Sequence, residues 1–469
     1  MIRTAIVILF FNCIMADKLQ AQQHLVLPTP VQLAWQRAEV GVVFHYDLHV
    51  FDNKKYNQIE NRIMPIADYN IFNPENLNTD QWIRMAKAAG AKFAILTVTH
   101  ETGFALFQSD VNPYCLKALK WRDGKGDIVK DFVNSCRKYG LQPGLYIGIR
   151  WNSFFGVHDF KVQGGDSLFT VNRQNYYNRM VEGTVKELCT RYGPLFEIWF
   201  DGGAADPKDN TPDVLPIVEK YQPNCLFYWS AQRADARWGG SETGTVGYPC
   251  WATFPFISTA TKEYPQISDS NNYLLKHGDN EGKYWMSAMA DVPLRGYDGR
   301  HEWFWEPGDD AHIWPLQNLI NMYYKSVGRN ATFIVGLTPD TSGLIPKADS
   351  IRLSVFSEEM AKRFSNPLIT EKGEGNNFVF HLAKAATVNQ LVIQEDIAKG
   401  ERIQAYKLLA KIKGKWEQVC KGTSVGNKRI QTFEPVKGSG FKLVITKAKA
   451  LPLLLSAALF NISDTTVRN

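Results

Sequence analysis

Leu195-Phe196-Glu197-Ile198-Trp199-Phe200-Asp201-Gly202-Gly203 is an apolar run of strand length that ends in one aspartate and two glycines. Such a run, bounded by turn residues, reads as a fully buried strand of a parallel sheet. An acid at the carboxyl end of a barrel strand sits where barrel enzymes keep their chemistry. The glycines beside it remove side-chain bulk, which lets a substrate approach the carboxylate. An isolated Asp-Gly-Gly also serves as the cap of a following helix, so the flanking sequence has to decide.

Outward from this stretch, strand-like runs at Val40–His45, Phe93–Thr97, Gly144–Ile149, Cys225–Trp229 and Thr332–Val335 alternate with helix-like segments at Asp80–Ala89, Asp127–Tyr139, Arg173–Tyr192 and Asp310–Val327. Alternation sustained from Trp35 to Phe364 predicts an α/β fold whose catalytic domain is a (β/α)8-like TIM barrel. An open doubly wound sheet is the rival, and it would carry a glycine-rich phosphate loop after an early strand. Gly124-Lys125-Gly126-Asp127 precedes a helix but follows no strand. After Phe364 the texture changes to short alternating runs separated by glycine and lysine, the pattern of a C-terminal β-sandwich over 365–469.

The chain has 469 residues, 45% of them hydrophobic and 21% charged, which suits a large globular domain followed by a smaller one. Formal net charge is +6 and uneven: residues 365–469 hold 16 Lys/Arg against 8 Asp/Glu. That balance describes a lysine-rich, solvated β-surface, and no dense basic run signals nucleic acid. Residues 1–21 read as an export signal, with Arg3 at the start, an apolar stretch from Thr4 to Ala16, and Leu19-Gln20-Ala21 before the cut. The apolar stretch is too short for a membrane span. The expectation is therefore a periplasmic or secreted enzyme without membrane insertion, its catalytic domain covering 22–364. Cys115, Cys136, Cys189, Cys225, Cys250 and Cys420 lie far apart with no CxxC pair, so neither a zinc site nor a disulfide framework is signalled.

The strand ends share a pattern, an apolar run followed by polar or aromatic residues. Val42-Val43-Phe44 leads to His45, Ile95-Leu96-Thr97-Val98-Thr99 to His100-Glu101, Tyr146-Ile147-Gly148-Ile149 to Arg150-Trp151, and Trp199-Phe200 to Asp201. In a barrel these ends converge on one face. The resulting mixture of imidazoles, carboxylates and aromatic rings suits a sugar, whose hydroxyls need donors and acceptors while its C–H face stacks on rings. Glycoside hydrolysis needs two carboxyl groups flanking the anomeric carbon. Asp201 is the first candidate. Glu242, in the glycine-rich Arg237-Trp238-Gly239-Gly240-Ser241-Glu242-Thr243-Gly244, is the second, although spacing alone favours an exposed loop glutamate.

These residues resemble glycoside hydrolase family 29, the retaining α-L-fucosidases. Asp80-Gln81-Trp82-Ile83, Ala88-Ala89-Gly90-Ala91-Lys92 and His100-Glu101-Thr102-Gly103-Phe104 are similar to the family's early blocks. Glu197-Ile198-Trp199-Phe200-Asp201-Gly202 resembles its nucleophile motif, and Arg237 to Gly244 the acid/base motif of the subfamily that acts on branched α-1,3/1,4-fucosides. The resemblance implies Asp201 as nucleophile, Glu242 as general acid and then base, no metal and no cofactor. It implies an oligosaccharide or glycoconjugate as substrate. His45 and His100 match family sugar ligands, while Tyr146, Trp151 and Trp238 are further candidates for the pocket wall.

Four positions depart from the family pattern. Glu101 stands where a second imidazole is usual, and Lys55-Tyr56 align with a Glu-Trp pair that contacts the sugar. Ser241 replaces an Asn, and a common Glu falls at Met289, next but one to Asp291. An ionised Glu only accepts and a Lys only donates, so Glu101 and Lys55 are expected to form an ion pair that rebuilds one wall. Three functions follow: hydrolysis of α-L-fucosides, hydrolysis of a related sugar such as α-L-galactose, or glycan binding by a catalytically weak relative.

Overall fold

The strands of the first sheet are β1 (Val40–Phe44), β2 (Phe93–Thr99), β3 (Gln142–Ile147), β4 (Glu197–Ala204), β5 (Leu226–Ser230), β6 (Ala236–Trp238), β7 (Ser287–Pro293) and β8 (Thr332–Leu337). In the computed structural model, which describes residues 25–165, 167–260, 273–299 and 303–463, they pair in the order β5-β4-β3-β2-β1-β8-β7-β6. Every pair is parallel. The ladder's two ends meet at Asp235, whose N–H donates to the Phe227 carbonyl at 3.1 Å while its carboxylate accepts from the Phe227 N–H at 2.9 Å. The sheet is thus an eight-stranded barrel, nearly closed. The expected export signal lies outside the described residues.

Six of these strands are legible as apolar runs; β6 and β7 are not. Ala236-Arg237-Trp238 carries a charge, and Ser287 to Pro293 mixes small residues with Asp291 and a proline. Closure of the barrel buries both strands, a tertiary effect that overrides their weak strand propensity.

Side chains alternate across each strand, so Val43, Ile95, Tyr146, Trp199, Tyr228, Ala236, Met289 and Ile334 form one apolar plug inside the barrel. The helices are α1 (Pro30–Ala38), α2 (Gln58–Ile63), α3 (Thr79–Ala88), α4 (Ile128–Tyr139), α5 (Leu168–Arg191), α6 (Leu215–Tyr221), α7 (Tyr273–His277), α8 (Leu316–Lys325) and α9 (Lys347–Phe364). Asn78 and Asp127 cap α3 and α4 by accepting from the N3 amides. α5 starts five residues earlier than its apolar pattern implies because Ser167 caps it there. The expected helix over 310–327 is split: Asp310–His312 is a single 3₁₀ turn, and Pro315 precedes α8.

The chain divides into two compact units, Pro28–Asn366 and, with residues 25–27, Pro367–Ser463. The second holds β9 (Ile369–Glu374), β10 (Asn377–Glu395), β11 (Ile403–Ile412), β12 (Lys415–Gly422), β13 (Arg429–Ala448) and β14 (Leu453–Phe460), antiparallel in the order β9-β14-β10-β13-β11-β12. The long partners β10 and β13 shift register between His381 and Ala386 and again between Val388 and Gln390. Such irregularities bend a strand, and Phe380, Leu391, Tyr406, Phe441 and Leu459 share one apolar core.

Candidate active site

A cavity of about 480 Å³ opens at the carboxyl ends of the barrel strands, with Trp199 among its lining residues. Period two decides what reaches it. On β4, Glu197, Trp199 and Asp201 share a face, and only Asp201 clears the apolar plug; on β7 the same holds for Met289 and Asp291. His45 and His100 follow the last residues of β1 and β2 and line the same space, as do Tyr56, Tyr146, Trp238, Ser241 and Glu242.

Asp201 accepts a hydrogen bond from the Tyr146 hydroxyl. Burial raises its pKa, and the charge of Glu242 adds to the rise; the Tyr146 bond and the guanidinium charges of Arg150 and Arg62 oppose it. Gly202 and Gly203 adopt left-handed conformations, φ 69° and 78°. A Cβ on Gly202 would meet the Arg150 side chain at 3.0 Å. Gly202 therefore turns the chain and makes room for Arg150, while a Cβ on Gly203 would meet the Trp229 ring at 3.3 Å.

Glu242 sits on the loop after β6, half-buried, and accepts from the Trp303 indole N–H at 2.8 Å. Arg237, wholly buried, anchors that loop by donating to the carbonyls of Leu275, Met286 and Trp251. Asp291 holds it from the other side: its carbonyl accepts from Gly244 N–H at 2.9 Å, and its carboxylate accepts from the Trp238 indole at 3.1 Å. Burial, then the neighbouring Glu242, pushes Asp291 well above the usual carboxylate range.

The imidazoles are neutral. Burial, with Arg62 nearby, lowers His100 to about 3, and burial with His100 and His49 lowers His45 as well. A neutral imidazole has one donor and one acceptor, which suits hydroxyl groups. His100 stacks on Tyr146 with ring centroids 5.5 Å apart, and Trp303 lies 4.9 Å from His45.

Three expectations need correction. Lys55 is exposed and absent from the cavity lining, and the cation on Glu101 is Arg62, whose Nε donates to it at 2.7 Å. Between residues 48 and 63 the chain makes two short helical pieces rather than running extended, and this brings Arg62 of α2 back to the site. Glu101 stands behind the wall, taking bonds from Arg62 and from the Tyr56 hydroxyl at 3.0 Å; burial raises its pKa to about 7. Trp151 does not line the cavity. Its ring carries the guanidinium groups of Arg62, 3.7 Å from the centroid, and Arg150, at 4.6 Å. Arg62 and Trp303 escape a reading of the sequence because neither follows a strand-end run, and Asp291 because β7 itself is not legible.

Paired carboxyl groups in an aromatic-walled cup on the carboxyl face of a parallel barrel define a glycoside hydrolase. Comparison with known proteins agrees. Residues 31–362 match the family model Alpha-L-fucosidase, and the chain belongs to that family, glycoside hydrolase family 29. Alpha-L-fucosidase 1 of Arabidopsis thaliana is 29% identical over 93% of this chain and 88% of its own length. The crystal structure of a "putative alpha-L-fucosidase" from Bacteroides thetaiotaomicron is 59% identical, with a TM-score of 0.92 over 94% of this chain and 100% of that one. A glycoside hydrolase 29 family member from an unknown rumen bacterium is 26% identical, with a TM-score of 0.77 over 94% and 79%.

Proposed function

We propose that this protein releases terminal α-L-fucose from glycans by a retaining double displacement, with Asp201 as nucleophile and Glu242 as acid and base. The observation that carries the reading is that both carboxyl groups line one cavity and both are oriented by ring donors, Asp201 by the Tyr146 hydroxyl and Glu242 by the Trp303 indole. The Asp201 carboxylate attacks the anomeric carbon as the bond to the leaving oxygen breaks, and Glu242 gives that oxygen its proton. Water then attacks the anomeric carbon of the glycosyl ester. Glu242 takes the water's proton, and the Asp201 carboxylate departs. His45 and His100 are the hydroxyl ligands, and Trp199 and Trp238 supply ring faces for the sugar. The Arg237–Gly244 segment, with its half-exposed Trp238, supports branched α-1,3/1,4-linked substrates, and residues 1–21 support export.

Initial rates on matched 4-nitrophenyl α-L-fucoside and α-L-galactoside, together with NMR of the first-formed anomer, test this. Faster fucoside cleavage that yields the α-anomer first and vanishes in Asp201→Ala supports the proposal. Preference for the galactoside redirects it to that sugar, first release of the β-anomer overturns retention, and inertness toward both overturns the enzyme reading in favour of glycan binding. Glu242→Gln should lower kcat by about 10² to 10⁴-fold.

A further inference from the structure

α2 buries none of its side chains in the protein; Ile59 and Ile63 are 73% and 59% exposed. Its tie to the barrel runs through Arg62, which bonds Glu101 by Nε and sets its guanidinium carbon 3.7 Å over the centroid of the Trp151 ring. Among the described residues that line the cavity, Arg62 is the one permanent cation. A guanidinium carries five N–H donors in a rigid plane. Glu101 takes the Nε–H, and the four on the outer nitrogens have no acceptor among the described residues, while the side chain keeps 24% exposure in the cavity wall. Two contacts, the Nε–H bond to Glu101 and the close approach over Trp151, restrict how the guanidinium can turn. Its charge also reaches Asp201, where the reaction takes place.

We infer that Arg62 is a specificity-determining residue that donates from its outer nitrogens to two neighbouring oxygens of the bound sugar. The inference rests on the glycosidase reading above and adds to it the chemical feature recognised, a vicinal pair of ring hydroxyls. Parallel N–H groups on a planar fork match two adjacent acceptors, a geometry that an ammonium group lacks. A site built to bond a hydroxyl rejects an analogue without it strongly, because the enzyme donors are then left unpaired. Glu101 and Trp151 act here as positioning groups, holding the fork at one angle.

The test pairs the protein, as wild type, R62K and R62Q, with 4-nitrophenyl α-L-fucoside and its 2-, 3- and 4-deoxy analogues. The wild type should lose at least about 100-fold in kcat/KM on two analogues that lack neighbouring hydroxyls. In R62Q that penalty should fall below about 10-fold for the same two analogues and stay unchanged for the third. R62K, which keeps the charge without the fork, should restore melting behaviour but not the discrimination. If Arg62 only clamps α2, its loss lowers kcat/KM equally on all four substrates and leaves every penalty intact, which overturns the inference. Should the wild type leave the fucoside uncut, the function proposed above fails, and calorimetry with L-fucose, L-galactose and the deoxyfucoses then decides. Selective loss of affinity for the full sugar in R62Q supports the inference; equal binding of all sugars, or none, sinks it.

Discussion

Glu197 and Asp201 stand on the same face of β4, separated by Trp199, and their surroundings differ in kind. Glu197 lies at the closed end of the barrel, wholly buried under α1, where one oxygen accepts from the Trp35 indole at 2.8 Å and the other has no partner. Burial raises it to about 8. Asp201 lies at the open end, also raised by burial, but with Tyr146, Arg62 and Arg150 pulling the other way and a cavity before it. Burial alone therefore does not make a carboxylate reactive. Access and nearby donors that favour the ionised form do, and β4 supplies them at one end only.

The contrast is strongest for exchange of carboxylate for amide. Asp201→Asn should lower kcat/KM by about 10⁴-fold or more in steady-state assays while leaving the melting midpoint equal or higher, since an amide is cheaper to bury than a charge. Trp303→Phe removes an indole donor from Glu242 and should cost about 10-fold in kcat with the fold intact, read from rates and circular dichroism together. Glu197→Gln should stay within about threefold in activity and instead change how stability depends on pH. In the wild type Glu197 keeps its proton in the folded state up to about 8, whereas the unfolded chain releases it near 4.5. The folded state binds more protons between those values, so stability falls as pH rises through that window, by a few kcal/mol in all. Denaturant titrations from pH 5 to 8 should show a smaller decline in Glu197→Gln; an unchanged slope would mean that the charge at Glu197 is not what the fold excludes. Lys55→Ala should alter kcat/KM by less than about twofold, since Lys55 is exposed and off the cavity. A loss beyond 10-fold would return Lys55 to the site.

The second unit repeats the lesson with a different outcome. Glu395 at the end of β10 is fully buried and raised to about 8, yet it accepts from the backbone N–H groups of Arg402, Ile403 and Gly426 at 2.9–3.0 Å. It organises a turn. Both of its carboxylate oxygens are taken up by backbone donors, so here a strongly shifted acid serves the chain's own turn.

Much of the barrel was legible because a buried parallel strand must be apolar throughout, and Asp201 stood out because the run ends in it. β6 and β7 were hidden by Arg237, Asp291 and small residues, tolerated there because carbonyls of α7 and the connecting segments satisfy Arg237 and the Trp238 indole satisfies Asp291. His45, His100 and Tyr146 were visible for the same reason as Asp201, since strand ends on one face converge. What period and spacing alone decided is therefore the register: which residues of each strand face inward and which one clears the plug. The partners were decided by the tertiary structure. Lys55 is the cation that linear spacing points to, and Arg62 is the one the fold delivers, because two short helical turns shorten the path and reverse it. Trp303 reaches Glu242 across 61 positions of chain. Hydrogen bonds and ion pairs act over about 3 Å of space, and distance along the chain says little about that separation once loops close the barrel.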